Sequence, residues 1–187
     1  DADAPDAPNE EVVRPLGSVT LVGACTPEVE APLDATCVEV TVQCPNVPDL
    51  NARLTRVPGR TNTHRGLVVL GSGGGGVGSY GFEIINRLAD LGFSTVERRW
   101  VTSWLDSEHG MLSAACRYAT LITWLEEPAG DAPFCVTGNS GGASEIAYAL
   151  AHFGRDEIID LAVPTAGPPM GQMHLMRALA LPGKPAK

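Results

Sequence analysis

Six of the eight residues from Gly71 to Gly78 are glycine, and they follow directly on the apolar run Leu67-Val68-Val69-Leu70. A strand with no polar alternation is covered on both faces, which in globular proteins means a parallel sheet flanked by helices. Glycines at its carboxyl end let another backbone, or a ligand, approach more closely than a side chain would permit. The rest of the chain keeps the same rhythm. Ser18 to Val22 and Cys37 to Gln43 read as strands, followed by a Pro-rich connection through Pro45, Pro48 and Pro58. Beyond the glycine loop, a helix carries Ile85, Leu88 and Ala89 on one face and ends at Gly92. Phe93 to Glu97 is the next strand, and Met111, Ala115, Tyr118, Ile122 and Leu125 then step by four and three, the stripe of one buried helix. Phe134 to Thr137 is a strand, the helix from Gly141 stops near Gly154, and Ile158 to Val163 is the final strand. The expected fold class is α/β, a mostly parallel sheet with helices on both faces.

Composition sets limits around that pattern. The chain has 187 residues, 44% of them hydrophobic, enough for one domain with a core. No apolar run approaches the roughly 18 residues of a membrane-spanning helix. The formal net charge of −9 would repel nucleic acid and anionic lipid. Five acids fall within residues 1–11, where almost nothing can be buried, so residues 1–14 are expected to be a disordered tail and 15–187 the folded domain. A first residue other than Met, with an Asp/Ala/Pro tail, is what signal-peptide removal leaves, and the expected location is secreted or periplasmic. The cysteines agree. Cys25, Cys37 and Cys44 crowd together as they do in oxidising compartments. Cys37 and Cys44 bracket one extended run and stand roughly 23 Å apart, too far for a bond. Cys25 with Cys37, closing a hairpin, is the expected disulfide.

Two glycine motifs offer different chemistry. Gly71-Ser72-Gly73-Gly74-Gly75-Gly76 satisfies the dinucleotide pattern G-x-G-x-x-G, and Glu97 stands where a ribose-binding acid would be. So glycine-rich a stretch matches almost any glycine pattern, however, and two strands precede it. Gly138-Asn139-Ser140-Gly141-Gly142 satisfies G-x-S-x-G between a strand and a helix, the setting of a nucleophile elbow. Such a serine sits in strained backbone and needs small neighbours. An acyl-transfer serine also needs two N–H donors for the developing oxyanion, one from the residue after it and one from a glycine-rich loop after an earlier strand. Gly141 would supply the first and Gly73 or Gly74 the second. Under the dinucleotide reading Ser140 has no role.

Taken together, these motifs, with Arg117-Tyr118-Ala119-Thr120 and Thr165-Ala166-Gly167-Pro168-Pro169, resemble the α/β-hydrolase fold family, in particular secreted hydrolases of esterase type. The resemblance runs from about Leu16 to Pro169. It implies Ser140 as nucleophile, with Gly141 and the Gly73/Gly74 loop as oxyanion hole, acting on a small ester or related acyl substrate. In that family the acid and the histidine follow the serine. Here Asp156, Glu157 and Asp160 lie at the wrong end of the sheet, while Glu145 and His152 ride on the helix leading away. His64 and His109 precede the serine. His174 is the remaining candidate base. The resemblance therefore implies that the last two strands, with the acid and the histidine, are absent from this chain, and that the Ile158 to Val163 edge is open. A serine without its base is a poor nucleophile, so little turnover is expected of the chain as it stands. A non-catalytic binding module of the same fold is the alternative, a dinucleotide-dependent oxidoreductase the more distant one. Neither cofactor nor metal is expected. Trp100 and Trp104 are candidates to line an acyl pocket or to pack the core.

Overall fold

The structure, a computed structural model, describes residues 13–167. Within them the chain forms β1 (Ser18–Cys25), β2 (Thr36–Cys44), β3 (Val47–Val57), β4 (Gly66–Gly71), α1 (Phe82–Asp90), β5 (Phe93–Trp100), α2 (Gly110–Ala114), α3 (Cys116–Glu126), β6 (Phe134–Asn139), α4 (Gly141–Phe153) and β7 (Leu161–Thr165). One sheet of order β1-β2-β3-β5-β4-β6-β7 holds every strand. The β1–β2, β2–β3 and β3–β5 pairs are antiparallel; β5, β4, β6 and β7 are mutually parallel. The expected tail falls almost wholly outside the described residues.

The parallel half matches the apolar pattern of its sequence. Val69, Val96 and Val136 face one way, into a core with Leu121, Ile122 and Leu125 of α3 and Ile146 and Ala149 of α4. Val68 and Leu70 face the other way, against Phe82, Ile85 and Ala89 of α1. The run 67–70 is thus covered on both sides, which is why it needs no polar alternation. At the far edge among the described residues, β7 leaves Leu161 55% and Val163 43% exposed.

One element corrects the sequence reading. The stretch expected to be a Pro-rich connection contains β3, eleven residues long and paired on both edges. Val47, Leu50, Ala52, Leu54 and Val57 are buried. Its prolines do not interrupt the ladder, because Pro45 and Pro58 flank the strand and Pro48 sits at its second residue. A smaller difference is the helix expected over Met111 to Leu125, which divides at Ala115, where ψ relaxes to −19°.

Of two disulfides, one closes a pair of strands within the antiparallel half and the other ties that half to α3. Cys25 and Cys37 are direct partners in the β1–β2 register, with Cα atoms 4.9 Å apart, the pair expected from the sequence. Cys44 and Cys116 join the end of β2 to the start of α3 across 72 residues, with Cα atoms 6.1 Å apart. Cys135 is free and half-buried. Alkylation in denaturant without reductant should therefore add one adduct per chain, at Cys135, and five adducts would contradict both bonds. Replacing Cys44 and Cys116 with serine should lower stability by about 2–4 kcal/mol in denaturant unfolding.

Candidate active site

The turn between β6 and α4 places Ser140 at φ 55° and ψ −116°, one of three positive-φ residues other than glycine among those described. A side chain in so sparsely populated a region costs about 1–3 kcal/mol, and the surrounding structure must hold it there. The Ser140 amide donates to the Thr165 carbonyl at 2.9 Å, and the Ser140 carbonyl accepts from Ala143 at 3.0 Å. Around it, backbone touches backbone. A Cβ at Gly138 would strike the Gly142 carbonyl and the Ala143 nitrogen; one at Gly142 would strike the Gly71 carbonyl; one at Gly167 would strike the Ser140 carbonyl. Ser140 is half-buried, and its hydroxyl has no hydrogen bond to a described residue.

The glycine loop folds against this turn. Gly73 and Gly76 adopt φ 86° and 72°, and the Gly76 amide closes the bend onto the Gly73 carbonyl at 3.0 Å. A Cβ at Gly141 would run into the Gly73 and Gly74 carbonyls, so the loop packs directly on the first residue of α4. Gly73, Gly74, Ser140 and Gly141 are thus brought together, as the two motifs require of each other. The amides of Gly73, Gly74 and Gly141 donate to no described residue. Tryptophan amides hold the far side of the loop, Trp100 donating to the Gly76 carbonyl at 3.0 Å and Trp104 to that of Gly75 at 2.9 Å.

Beneath the loop lies a charged pair that the sequence reading misplaced. Glu145, expected to head away from the site, turns under it and is wholly buried. It receives Arg98 Nη2 on one oxygen and Trp100 Nε1 on the other. Arg98, equally buried, donates through Nη1 to the Gly76 carbonyl at 2.7 Å and lies near the Trp100 and Tyr118 rings. Gly71 makes room for it, since a Cβ there would collide with the guanidinium. The sequence carried only a faint signal: one acid in a largely apolar helix, and an arginine directly after the expected strand Phe93 to Glu97. Burial pushes the Glu145 carboxyl up to about 7, against the opposing pull of Arg98 and the Trp100 N–H.

The other titratable candidates lie elsewhere. Asp160 accepts the Phe134 amide at 2.7 Å, at the opposite end of β6. Asp156 and Glu157 belong to the short turn 155–157 that follows α4. The His152 ring lies 5.5 Å from that of Tyr148, tilted by 46°; His64 precedes β4 and His109 precedes α2. His174 lies outside the described residues. Among those described, no histidine hydrogen-bonds to Ser140. Trp100 and Trp104 are core residues, both almost fully buried. Glu97, the acid of the dinucleotide reading, is buried: its Oε1 accepts from Ser79 Oγ at 2.9 Å and from the Tyr80 amide at 2.6 Å, and its Oε2 is enclosed without a hydrogen-bond partner among the described residues, so the carboxylate is not open to a ribose.

No protein-family model matches this chain, and no curated protein matches it in sequence. Solved structures do match. The chain is similar to a probable hydrolytic enzyme from Pseudomonas aeruginosa PAO1, at 17% identity over 84% of this chain and 47% of that one, with a TM-score of 0.55. It is similar to a thermostable carboxyl esterase from Bacillus coagulans, at 18% identity over 68% and 43%, TM-score 0.54. It also resembles the dienelactone hydrolase from Anabaena variabilis, at 20% identity over 73% and 65%, TM-score 0.50. The architecture and the strand-turn-helix at Ser140 are those of the α/β-hydrolase fold, and this chain has that fold. It spans about half the length of the first two of these structures.

Two consequences can be measured. Ser140→Gly should raise stability by about 1 kcal/mol, because relief of the positive-φ strain outweighs the added freedom of the unfolded chain, whereas Gly138→Ala should lower it by about 1–3 kcal/mol through overpacking. Glu145 also sets a pH dependence. Its folded value lies above the ordinary 4.5, so the folded protein holds an extra proton between about pH 4.5 and 7 and loses stability as pH rises through that window. Denaturant unfolding should show wild type weakening relative to Glu145→Gln between about pH 5 and about pH 8, and a pH-independent difference would refute this.

Proposed function

We propose that this protein is a serine hydrolase acting on an ester or related acyl bond of a small molecule. The observation that carries the reading is the strained Ser140 turn flanked by uncommitted amides, those of Gly141 and of Gly73 or Gly74. The Ser140 hydroxyl attacks the carbonyl carbon and an acyl-enzyme forms as the alcohol leaves. Meanwhile the two amides stabilise the charge developing on the oxygen, an arrangement in which losing one donor typically costs about 10²–10³ in rate. Attack requires a base to take the hydroxyl proton. His174 is the candidate within this chain.

A second reading is supported by one observation, the lack of a histidine partner for Ser140 among the described residues. A non-catalytic binding module would keep the same turn and loop without turnover. A small acyl substrate suits either reading better than nucleic acid, given the net charge of −9. The disulfides favour an oxidising compartment, so we place the protein outside the cytosol, secreted or periplasmic.

A fluorophosphonate probe applied to the native polypeptide separates the readings. Stoichiometric labelling that disappears in Ser140→Ala is the result the hydrolase reading expects, and it would overturn the low turnover expected of a serine without its base. His174→Ala should slow labelling at least about tenfold if His174 is the base, general-base catalysis being worth about 10²–10⁴. Absence of labelling in the native form would favour the binding module.

A further inference from the structure

A loop built almost wholly of glycine is a poor place to hold hydrogen-bond donors still. Ordering each residue costs about 1–2 kcal/mol, with glycine at the high end, and Gly73 to Gly76 carry no side chain with which to anchor themselves. Oxyanion stabilisation nevertheless depends on donors fixed before the charge develops. The fixation comes from outside the loop: the Trp100 and Trp104 amides hold two of its carbonyls, and among the described residues Arg98 is the side chain that hydrogen-bonds to Gly73–Gly76. From β5 its guanidinium crosses the gap left by Gly71, and its two terminal nitrogens point to different elements: Nη1 to the Gly76 carbonyl, Nη2 to Glu145 on α4. Glu145 lies five residues beyond Ser140 on the helix that begins at Gly141. One planar cation therefore spans the loop with Gly73 and Gly74 and the helix with Gly141, and a second anchor, Trp100 Nε1 on the other carboxylate oxygen, keeps Glu145 from turning away. Lysine would not reproduce this bridge, because its donors radiate from one nitrogen on a shorter reach whereas the guanidinium spreads two nitrogens in a plane.

Stability does not explain the pair. Burying two charges costs several kcal/mol in desolvation, and apolar residues of similar volume often do as well or better. We propose that Arg98 and Glu145 are positioning residues that lock the Gly73–Gly76 turn against Gly141, setting the distance between the two groups of oxyanion donors. The proposal deepens, and rests on, the reading of Ser140 as an acyl-transfer nucleophile, and neither residue touches substrate.

The test uses the native polypeptide and two variants, the double replacement Arg98→Met/Glu145→Leu and the single Arg98→Lys. Three quantities are read: the melting temperature, hydrogen exchange of the peptide spanning 71–78 against those of β4 and β6, and the rate of Ser140 labelling by a fluorophosphonate. The double variant should melt at or above the wild-type temperature, exchange its loop amides at least about tenfold faster with the strands unchanged, and label at least about tenfold more slowly. Arg98→Lys should show the same loop and labelling defects. A folded variant with wild-type loop exchange and labelling overturns the proposal. If wild type does not label, the acyl-transfer reading fails, and loop exchange alone decides whether the bridge holds the turn. Failure of both variants to fold also overturns it, since a pair that only positions is dispensable for folding.

Discussion

At the carboxyl ends of β4 and β6, backbone lies against backbone with nothing between. Gly71 and Gly138 are register partners on neighbouring strands; Gly142 of α4 rests on the Gly71 carbonyl, and Gly138 rests on Gly142. Each missing Cβ brings α4 closer to the sheet, and that closeness forces the turn at Ser140 into its positive-φ geometry. The strain is local, but a whole layer of the fold sustains it: α4 is pinned on its other side by Ile146 and Ala149 in the main core. The nucleophile candidate and the loop candidate therefore share one cause. Gly71 is at once the end of β4, the seat of Gly142 and the opening through which Arg98 passes.

Legibility from sequence follows the range of the interaction responsible. The elbow and the glycine loop were readable because their chemistry is local: small residues at fixed offsets between a strand and a helix. The alternation of the parallel half was equally local, and the disulfide between Cys25 and Cys37 followed from a hairpin. β3 was hidden because its prolines look like punctuation, although only position 48 lies within the strand, near its start, where the ladder tolerates it. Cys44–Cys116 and Arg98–Glu145 span 72 and 47 residues and depend on how layers stack, which no periodicity in this chain encodes. Glu145 is the instructive miss: the sequence places it on a helix leading away from the site, and nothing local shows that an arginine crosses from β5 to meet it.

The antiparallel half of the sheet is connected to the site by a chain of contacts rather than by any residue of its own. Cys44 ties β2 to the first residue of α3, and the next residue, Arg117, is a largely buried cation whose desolvation lowers its pKa from the ordinary value. Arg117 donates to the Trp104 carbonyl at 2.7 Å and to that of Pro48, in β3, also at 2.7 Å. The amide of Trp104 in turn holds Gly75. The glycine loop is thus gripped by two arginines acting differently. Arg98 reaches Gly76 directly and is paired with Glu145; Arg117 hydrogen-bonds only to carbonyls, with Asp106 and Asp49 acting on it through charge alone, and works through the Trp104 backbone. Carbonyl dipoles compensate a buried guanidinium less fully than a carboxylate does, so Arg117 retains more of its desolvation cost. That cost is tolerable only while α3 stays seated, and the Cys44–Cys116 bond opposes its departure. A disulfide far from Ser140 in sequence accordingly bears on the order of the loop beside it.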